Sequence, residues 1–435
     1  MEGPLRSPPH PHRLLQRRGH PTSVNIALIS LHTAPDAQPG QGDAGGLNVY
    51  VRATATELAA RGHQVEIITA DPALSVDEAT ARPGPAPEAP ITWAASSHLG
   101  PGVRVHRLHT PARTKEDLLT HLDGIASALA ELPQLADCQV IWAHYWISAA
   151  AVLRMRETHG TGAKFVVSFH TIGAVKDRDT GTRREPADRL AAEPRIAAAA
   201  DLAIANTPAE RSDIIDLLGT PPARVIAAVP GIDHTVYTPG DRHAARHRLG
   251  LGTDPVLLAV GRMQHIKGTD VAIAAMQELR DQLPSARLYM LGAASGTDTQ
   301  TAGAMAEAAT AEPAITVLPP EPAERLADWY RAADAVLVPS RSESFGFAAA
   351  EAAACGTPVI AAAVGGLRHI VTPVTGVLLE SHDPEVWAQA IARLLGDDDT
   401  RAQMAAAAVR QAARFTWEHC VDTVLNGLSG VGATA

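Results

Sequence analysis

This 435-residue chain contains few cysteines, and it has neither a long apolar run nor an excess of positive charge. Cys138, Cys355 and Cys420 are odd in number and lack metal-ligand spacing, so we expect buried thiols in a reducing cytosol and no disulfide framework. No apolar run approaches the roughly 18 residues of a membrane span, which argues against a transmembrane protein. The formal net charge of −10 argues against nucleic acid as a general partner, because backbone phosphates require a basic face.

The first 23 residues form a separate segment that is rich in proline, arginine and histidine. Arg17 and Arg18 match part of an export signal, but the apolar segment that such a signal requires does not follow them. We therefore expect residues 1–23 to be a disordered leader or the result of an upstream start codon.

From residue 24 onward, short apolar runs alternate with segments of helical spacing, and the alternation occurs twice. The predicted strands are 24–30, 63–70, 103–108, 138–144, 164–171, 201–206, 225–231, 255–260, 286–291, 315–318, 335–338 and 359–362. This pattern predicts an α/β protein in which two doubly wound, Rossmann-like domains face each other across a cleft. We place the N-terminal domain at 24–235, the C-terminal domain at 236–412, and a helix at 413–435 that returns to the N-terminal domain.

In the first domain, glycines and polar side chains collect where strands end. Gly45 and Gly46 lie between the first strand and the first helix, where the absence of a Cβ lets the backbone approach a diphosphate. Tyr145, His170 and Thr171 end two other strands. Because ligands bind at the carboxyl edge of such sheets, we predict that these three side chains lie at a binding site.

In the second domain, Arg262 and Lys267 follow a predicted strand, at a place where two cations can neutralise a diphosphate. The segment 341–351 follows another strand and opens a helix, whose first amide groups favour a phosphate or sugar hydroxyls. Glu343 lies just before that helix and Glu351 two turns inside it. The arrangement suits a sugar nucleotide, and because two cations serve the diphosphate, we expect neither a metal nor another cofactor.

These segments resemble a known family. Glu343 and Glu351 with seven residues between them, together with Gly261-Arg262 and Lys267-Gly268, resemble glycosyltransferase family 4, whose members are retaining enzymes with the GT-B fold. The N-terminal half is similar in particular to the actinobacterial branch that glycosylates D-inositol 3-phosphate in mycothiol biosynthesis. The segments that carry this similarity are 42–50, 144–146 and 170–171. The resemblance covers nearly the whole chain from about residue 24.

The resemblance implies roles for individual residues, with catalysis assigned to Arg262, Lys267, Glu343 and His170. It implies a donor site in which Arg262 and Lys267 hold the diphosphate, Glu343 the sugar hydroxyls and Glu351 the ribose. The full implied donor site is Gly45, Gly46, Arg262, Lys267, Glu343, Ser344, Phe345, Gly346, Phe347 and Glu351. The acceptor phosphate is implied to bind Asn48, Lys115, Tyr145, Thr171 and Arg189, while His170 lies beside the transferred sugar. The implied partners are therefore a nucleotide sugar and a small anionic acceptor.

Departures from the family pattern leave the donor base, the sugar and the acceptor open. Phe347 stands where leucine is usual, His265 where proline is common, and the segments 109–114 and 292–296 also differ. They suggest a paralogue with an altered substrate. One related branch, in lincosamide assembly, transfers a GDP-activated octose to the sulfur of ergothioneine, whose carboxylate suits the same anion pocket.

Other classes of protein also fit the fold. A phosphorylase or a sugar epimerase is one alternative, and a non-catalytic protein that binds nucleotide sugars is another. The presence of two cations together with two carboxylates favours a transferase over the binding protein. A homodimer is a further expectation that the sequence leaves open.

Overall fold

Two parallel sheets organise the chain, as a computed structural model shows for residues 23–40, 44–72, 91–112, 114–293 and 299–430. The expected disordered leader, apart from Ser23, lies outside these described residues, and so do Gly42, Asp43 and Arg113. Within the described ranges, no helix combines the length and the apolar character needed to cross a membrane.

The first sheet has nine strands in the order β3-β5-β2-β1-β6-β7-β8-β9, with β4 also paired to β5. The strands are β1 (Asn25–Ile29), β2 (Gln64–Pro72), β3 (Thr92–Trp93), β4 (Ser97–Gly100), β5 (Val103–Thr110), β6 (Val140–His144), β7 (Lys164–Ser168), β8 (Leu202–Ala205) and β9 (Val225–Ala227). All pairings are parallel except those of β3 and β4 with β5. The sequence pattern missed β3 and β4, because both are short and lie in a proline-rich stretch.

Helices cover both faces of this sheet. They are α1 (Gly46–Ala60), α2 (Leu122–Glu131), α3 (Pro133–Ala136), α4 (Trp146–Thr158), α5 (Gly173–Thr180), α6 (Ala187–Ala199) and α7 (Pro208–Leu218). Local chemistry explains their ends: at α7, the Thr207 hydroxyl accepts a hydrogen bond from the Glu210 amide, and Gly219 in the left-handed region (φ 70°) ends the helix. The helix expected from Lys115 instead starts with a 3-10 turn at Asp117–His121.

The second sheet has six parallel strands in the order β12-β11-β10-β13-β14-β15. They are β10 (Val256–Val260), β11 (Arg287–Leu291), β12 (Ile315–Leu318), β13 (Ala335–Val338), β14 (Val359–Ala362) and β15 (Gly376–Leu379). The helices are α8 (Arg242–Leu249), α9 (Thr269–Leu279), α10 (Thr299–Ala311), α11 (Ala323–Ala332), α12 (Phe347–Ala354), α13 (Leu367–Ile370), α14 (Pro384–Leu395), α15 (Asp398–Ala412) and α16 (Trp417–Gly430). Strands β13 and β14 are buried apolar runs, and β10 is buried over its first three residues, as expected for parallel strands covered on both faces.

The last helix, α16, packs on the first domain. Val421 and Val424 share an apolar core with Ile26 of β1 and Trp142 of β6. The chain therefore passes between the domains twice. The two connecting segments are in contact, since the Ile232 amide donates to the Phe415 carbonyl at 3.0 Å. All three cysteines are buried and free, as the sequence predicted.

The two connecting segments are in close backbone contact at Gly231. A Cβ built there would lie 2.2 Å from the Trp417 nitrogen, and backbone cannot yield as a flexible side chain does. We expect Gly231→Ala to lower stability by roughly 1–3 kcal/mol through overpacking. Thermal unfolding followed by circular dichroism measures this, with Gly252→Ala as the control because a Cβ added at Gly252 would meet nothing within 4 Å. An equal melting temperature for the two variants would contradict the prediction.

Candidate active site

A cavity of about 490 Å³ lies between the two domains, at the carboxyl ends of strands from both sheets. The structure brings thirteen of the sixteen predicted site residues to its wall: Gly45, Gly46, Lys115, Tyr145, His170, Thr171, Arg262, Lys267, Glu343, Ser344, Phe345, Gly346 and Phe347. The other three, Asn48, Arg189 and Glu351, are buried and are not part of the cavity wall. The strand ends at which a binding site was predicted therefore do lie around one cleft.

On the side of the second domain, an ion pair joins the two predicted loops. The Lys267 ammonium lies 2.6 Å from a Glu343 carboxylate oxygen, and both side chains retain some exposure. Gly268, which starts α9 with a φ of 68°, brings these loops together, since a Cβ there would lie 1.9 Å from the Pro339 carbonyl oxygen. Only glycine fits this position, so the cation and the carboxylate are presented side by side.

The backbone of Glu343 is enclosed by glycines from a neighbouring loop. The Gly366 amide donates to the Glu343 carbonyl at 2.8 Å, and a Cβ on Gly365 would lie 2.0 Å from the same oxygen. Gly346 (φ 104°) then turns the chain into α12, whose first residue is Phe347. The first amides of α12 therefore start at the cavity wall, where a helix favours an anion.

Glu351 is held inside the second domain. It is 8% exposed and accepts a hydrogen bond from the Tyr330 hydroxyl at 2.9 Å. Burial raises the pKa of this carboxyl to about 7, against the lowering effect of the tyrosine hydrogen bonds. Its contact with a ribose stays a prediction, because the structure places the side chain behind the cavity wall.

On the side of the first domain, two strands end in strained residues. Tyr145 follows β6 with a φ of 73°, and His170 lies two residues after β7 with a φ of 59°. They are the two non-glycine residues with positive φ among the described residues. Such a conformation costs roughly 1–3 kcal/mol and is concentrated at functional sites, which supports the assignment of both side chains to the site.

Arg189 supports these residues from behind. It is 2% exposed and donates to the Thr171 carbonyl at 2.7 Å and to the Thr171 hydroxyl at 3.0 Å. Its guanidinium lies 5.1 Å from the Tyr145 ring centroid and is paired with Glu185 and Glu193. In this structure Arg189 orients Tyr145 and Thr171 toward the cavity, and its direct contact with an acceptor stays a prediction.

Asn48 closes the glycine loop at the start of α1. Its side-chain oxygen accepts from the Gly45 amide at 2.9 Å, and its amide group donates to the Thr33 hydroxyl at 2.7 Å and to the Ala34 carbonyl. These bonds use the hydrogen-bonding capacity of the side chain within the protein. Asn48 therefore shapes the loop that carries Gly45 and Gly46, and acceptor binding by its side chain stays a prediction.

The sequence interpretation missed two cations on the acceptor side, Lys176 and Arg184, which line the cavity with Lys115. Lys176 lies on α5, and its ammonium pairs with the Glu185 carboxylate. Burial lowers the pKa of Lys176, an effect that the pairing opposes. The sequence did contain a signal for Lys176. This residue follows His170 and Thr171, which end a predicted strand and were already assigned to the site, by about one helical turn.

Two contacts join the domains across the cavity. The Ser342 hydroxyl donates to an Asp179 carboxylate oxygen at 2.8 Å. Gly46 touches Phe347, since a Cβ on Gly46 would lie 2.7 Å from that ring, and Phe347 stacks on Trp417 at 6.2 Å. Phe347 thus packs against the first domain and against α16.

Comparisons with known proteins agree with this architecture. The family described as "Glycosyl transferase 4-like domain" matches residues 45–231, and the one described as "Glycosyl transferases group 1" matches residues 241–411. The solved structure of sucrose-phosphate synthase from Thermosynechococcus elongatus matches with a TM-score of 0.79 at 26% identity. The match covers 95% of this chain and 100% of that one.

Two curated relatives are similar along nearly their whole length. The D-inositol 3-phosphate glycosyltransferase of Xylanimonas cellulosilytica is 39% identical over 421 residues, which cover 92% of this chain and 95% of that protein. The protein of the same name from Nocardia farcinica is 41% identical over 421 residues, which cover 93% of this chain and 89% of that protein. These names do not favour the alternative with ergothioneine and a GDP-activated octose. The chain belongs to glycosyltransferase family 4 and is a nucleotide-sugar glycosyltransferase with the GT-B fold.

Proposed function

We propose that the enzyme transfers N-acetylglucosamine from its UDP derivative to D-inositol 3-phosphate, with retention at the anomeric carbon. The observation that carries this proposal is the presence of cations on both sides of one cavity, Arg262 and Lys267 on one domain and Lys115, Lys176 and Arg184 on the other. Such a cavity suits two anionic groups, the diphosphate of a donor and the phosphate of an acceptor. The names of the relatives support inositol phosphate as the acceptor.

The second domain supplies the donor site. Arg262 and Lys267 follow β10, and the first amides of α12 start at the same wall. Two cations and a helix start stabilise the charge that grows on the leaving diphosphate as the glycosidic bond breaks. Glu343, which is paired with Lys267 and lines the same wall, accepts hydrogen bonds from the sugar hydroxyls in this proposal.

The first domain supplies the acceptor site. Lys115, Tyr145 and Thr171 line its wall, and Arg189 holds the last two in place. Lys176 and Arg184 add positive charge at the same side. A phosphorylated polyol fits this chemistry, because the cations bind the phosphate and leave a ring hydroxyl free to attack the sugar.

In the mechanism we propose, the sugar develops oxocarbenium character while the nucleoside diphosphate departs. The acceptor hydroxyl attacks from the same face, and the leaving phosphate oxygen takes its proton. No protein nucleophile is required in this scheme. The contacts across the cavity hold the domains close together, which limits the access of water to the reacting carbon.

The proposed reaction is tested by mass spectrometry of mixtures that contain UDP-N-acetylglucosamine and D-inositol 3-phosphate. We expect UDP and a pseudo-disaccharide phosphate, with the α configuration of the donor preserved in the proton NMR spectrum of the product. Inositol without its phosphate is the control acceptor, and we expect its turnover to be at least roughly 10-fold slower, because charge-assisted hydrogen bonds are lost. Equal turnover of the two acceptors would contradict the acceptor assignment.

The cations of the donor site are tested by Arg262→Ala and Lys267→Ala. We expect each change to lower kcat by roughly 100- to 1,000-fold, the usual effect of removing a group that stabilises transition-state charge. Arg325→Ala is the control, because Arg325 is half-exposed, pairs with Glu321 and is not part of the cavity wall. We also propose that these cations make a metal unnecessary, so that activity persists in EDTA; loss of activity in EDTA would refute this.

The acceptor site is tested by Lys176→Met, which removes the charge and keeps much of the side-chain length. We expect the KM for inositol phosphate to rise roughly 10- to 100-fold, as for a lost hydrogen bond to a charged group, while the KM for the donor changes little. Arg195→Met provides the control, since Arg195 is 72% exposed and is not part of the cavity wall. An unchanged acceptor KM would exclude Lys176 from the acceptor site.

A further inference from the structure

Two histidines end neighbouring strands and meet behind the cavity wall. His144 is the last residue of β6, and its Nδ1 lies 3.0 Å from Nε2 of His170. The two rings meet at their edges in nearly parallel planes, with centroids 5.3 Å apart and planes 25° apart. His170 lines the cavity, whereas His144 is completely buried. We propose that His144 is a positioning residue that fixes the proton of His170 on Nδ1, so that His170 offers an N–H donor to the substrate.

Both histidines are neutral at neutral pH. Burial lowers the pKa of His144 well below its usual value, with a smaller effect from His170. Burial also lowers the pKa of His170 to about 3, with a smaller effect from His32. A neutral imidazole has one donor nitrogen and one acceptor nitrogen. The bond between the rings therefore holds a single proton, carried either by His144 Nδ1 or by His170 Nε2.

The surroundings of His144 decide between these two arrangements. Its Nε2 is buried and has no hydrogen-bond partner among the described residues, and its neighbours include the rings of Trp142 and Tyr50. A buried N–H group without a partner is rarer than a buried acceptor without one. We therefore place the His144 proton on Nδ1, from which it is donated to Nε2 of His170. The proton of His170 is then on its own Nδ1.

This arrangement gives His170 a defined chemical role. Its Nδ1 has no hydrogen-bond partner within the described part of the chain and belongs to a side chain of the cavity wall. The edge of the Tyr50 ring, 4.9 Å away between centroids, and the bond from His144 hold the imidazole against the strained backbone. The N–H group therefore suits an oxygen acceptor, which on the proposed function is a hydroxyl oxygen of the transferred sugar. A neutral donor there adds no positive charge beside a sugar that becomes cationic.

The proton position is measured by long-range proton–nitrogen NMR of the full chain labelled with ¹⁵N-histidine. The signals of His170 are identified by their loss in His170→Gln. We expect Nδ1 of His170 to carry the proton and Nε2 to be bare, with no second proton added down to pH 5. A proton on Nε2 would overturn the proposal. This readout needs no turnover, so it stands apart from any failure of the proposed reaction.

Two variants test the positioning role in catalysis. His144→Phe fills the space without a hydrogen bond, and we expect kcat to fall roughly 10- to 100-fold, as for a misplaced reacting group, with the donor KM changed by less than about threefold. His144→Asn retains an amide donor, and we expect it to recover most of the activity. Wild-type kcat in a folded Phe variant would refute the role, and so would an Asn variant no more active than the Phe variant. If the Phe variant does not fold, the NMR measurement on the wild type still decides the proposal.

Discussion

The active cavity depends on the backbone contact between the two segments that join the domains. The Ile232 amide donates to the Phe415 carbonyl, and Gly231 lies against the backbone of Trp417. Because each domain has its own apolar cores, these paired segments are the covalent connection between two separately packed bodies. At the cavity itself, the bond from Ser342 to Asp179 and the packing of Phe347 against Gly46 also join the two domains.

The two domains use different means to present polar groups at their strand ends. In the first domain, Tyr145 and His170 adopt positive φ values, and the strain is sustained because the sheet that precedes them is packed on both faces. In the second domain, glycines occupy the sharp turns. Gly268 and Gly366 allow the loops of Lys267 and Glu343 to approach each other closely. Residues with a strained backbone on one domain and unstrained glycines on the other thus face each other across one cavity.

The sequence predicted the elements whose signals are local. Apolar runs predicted twelve of the fifteen strands of the described residues to within a few residues, whereas β3, β4 and β15 were missed, and glycines next to Arg262 and Lys267 marked the first donor loop. Helix α5 was missed because it is short and strongly polar, with Lys176 among its four charged residues. The partners of Arg189 and Glu351 could not be predicted either, because Thr171 and Tyr330 lie 18 and 21 residues away and meet them only through packing.

The distribution of charge explains why a neutral histidine is the appropriate neighbour for the transferred sugar. On the proposed function, the cations of the second domain bind a diphosphate and those of the first domain bind an anionic acceptor, so each cationic group is matched by a substrate anion. The sugar between these anions becomes positive as its bond breaks, and a histidinium beside it would oppose that change. Burial keeps His170 uncharged, and its bond with His144 keeps one ring nitrogen occupied. The imidazole can then orient the sugar through a hydrogen bond without any electrostatic cost to the transition state.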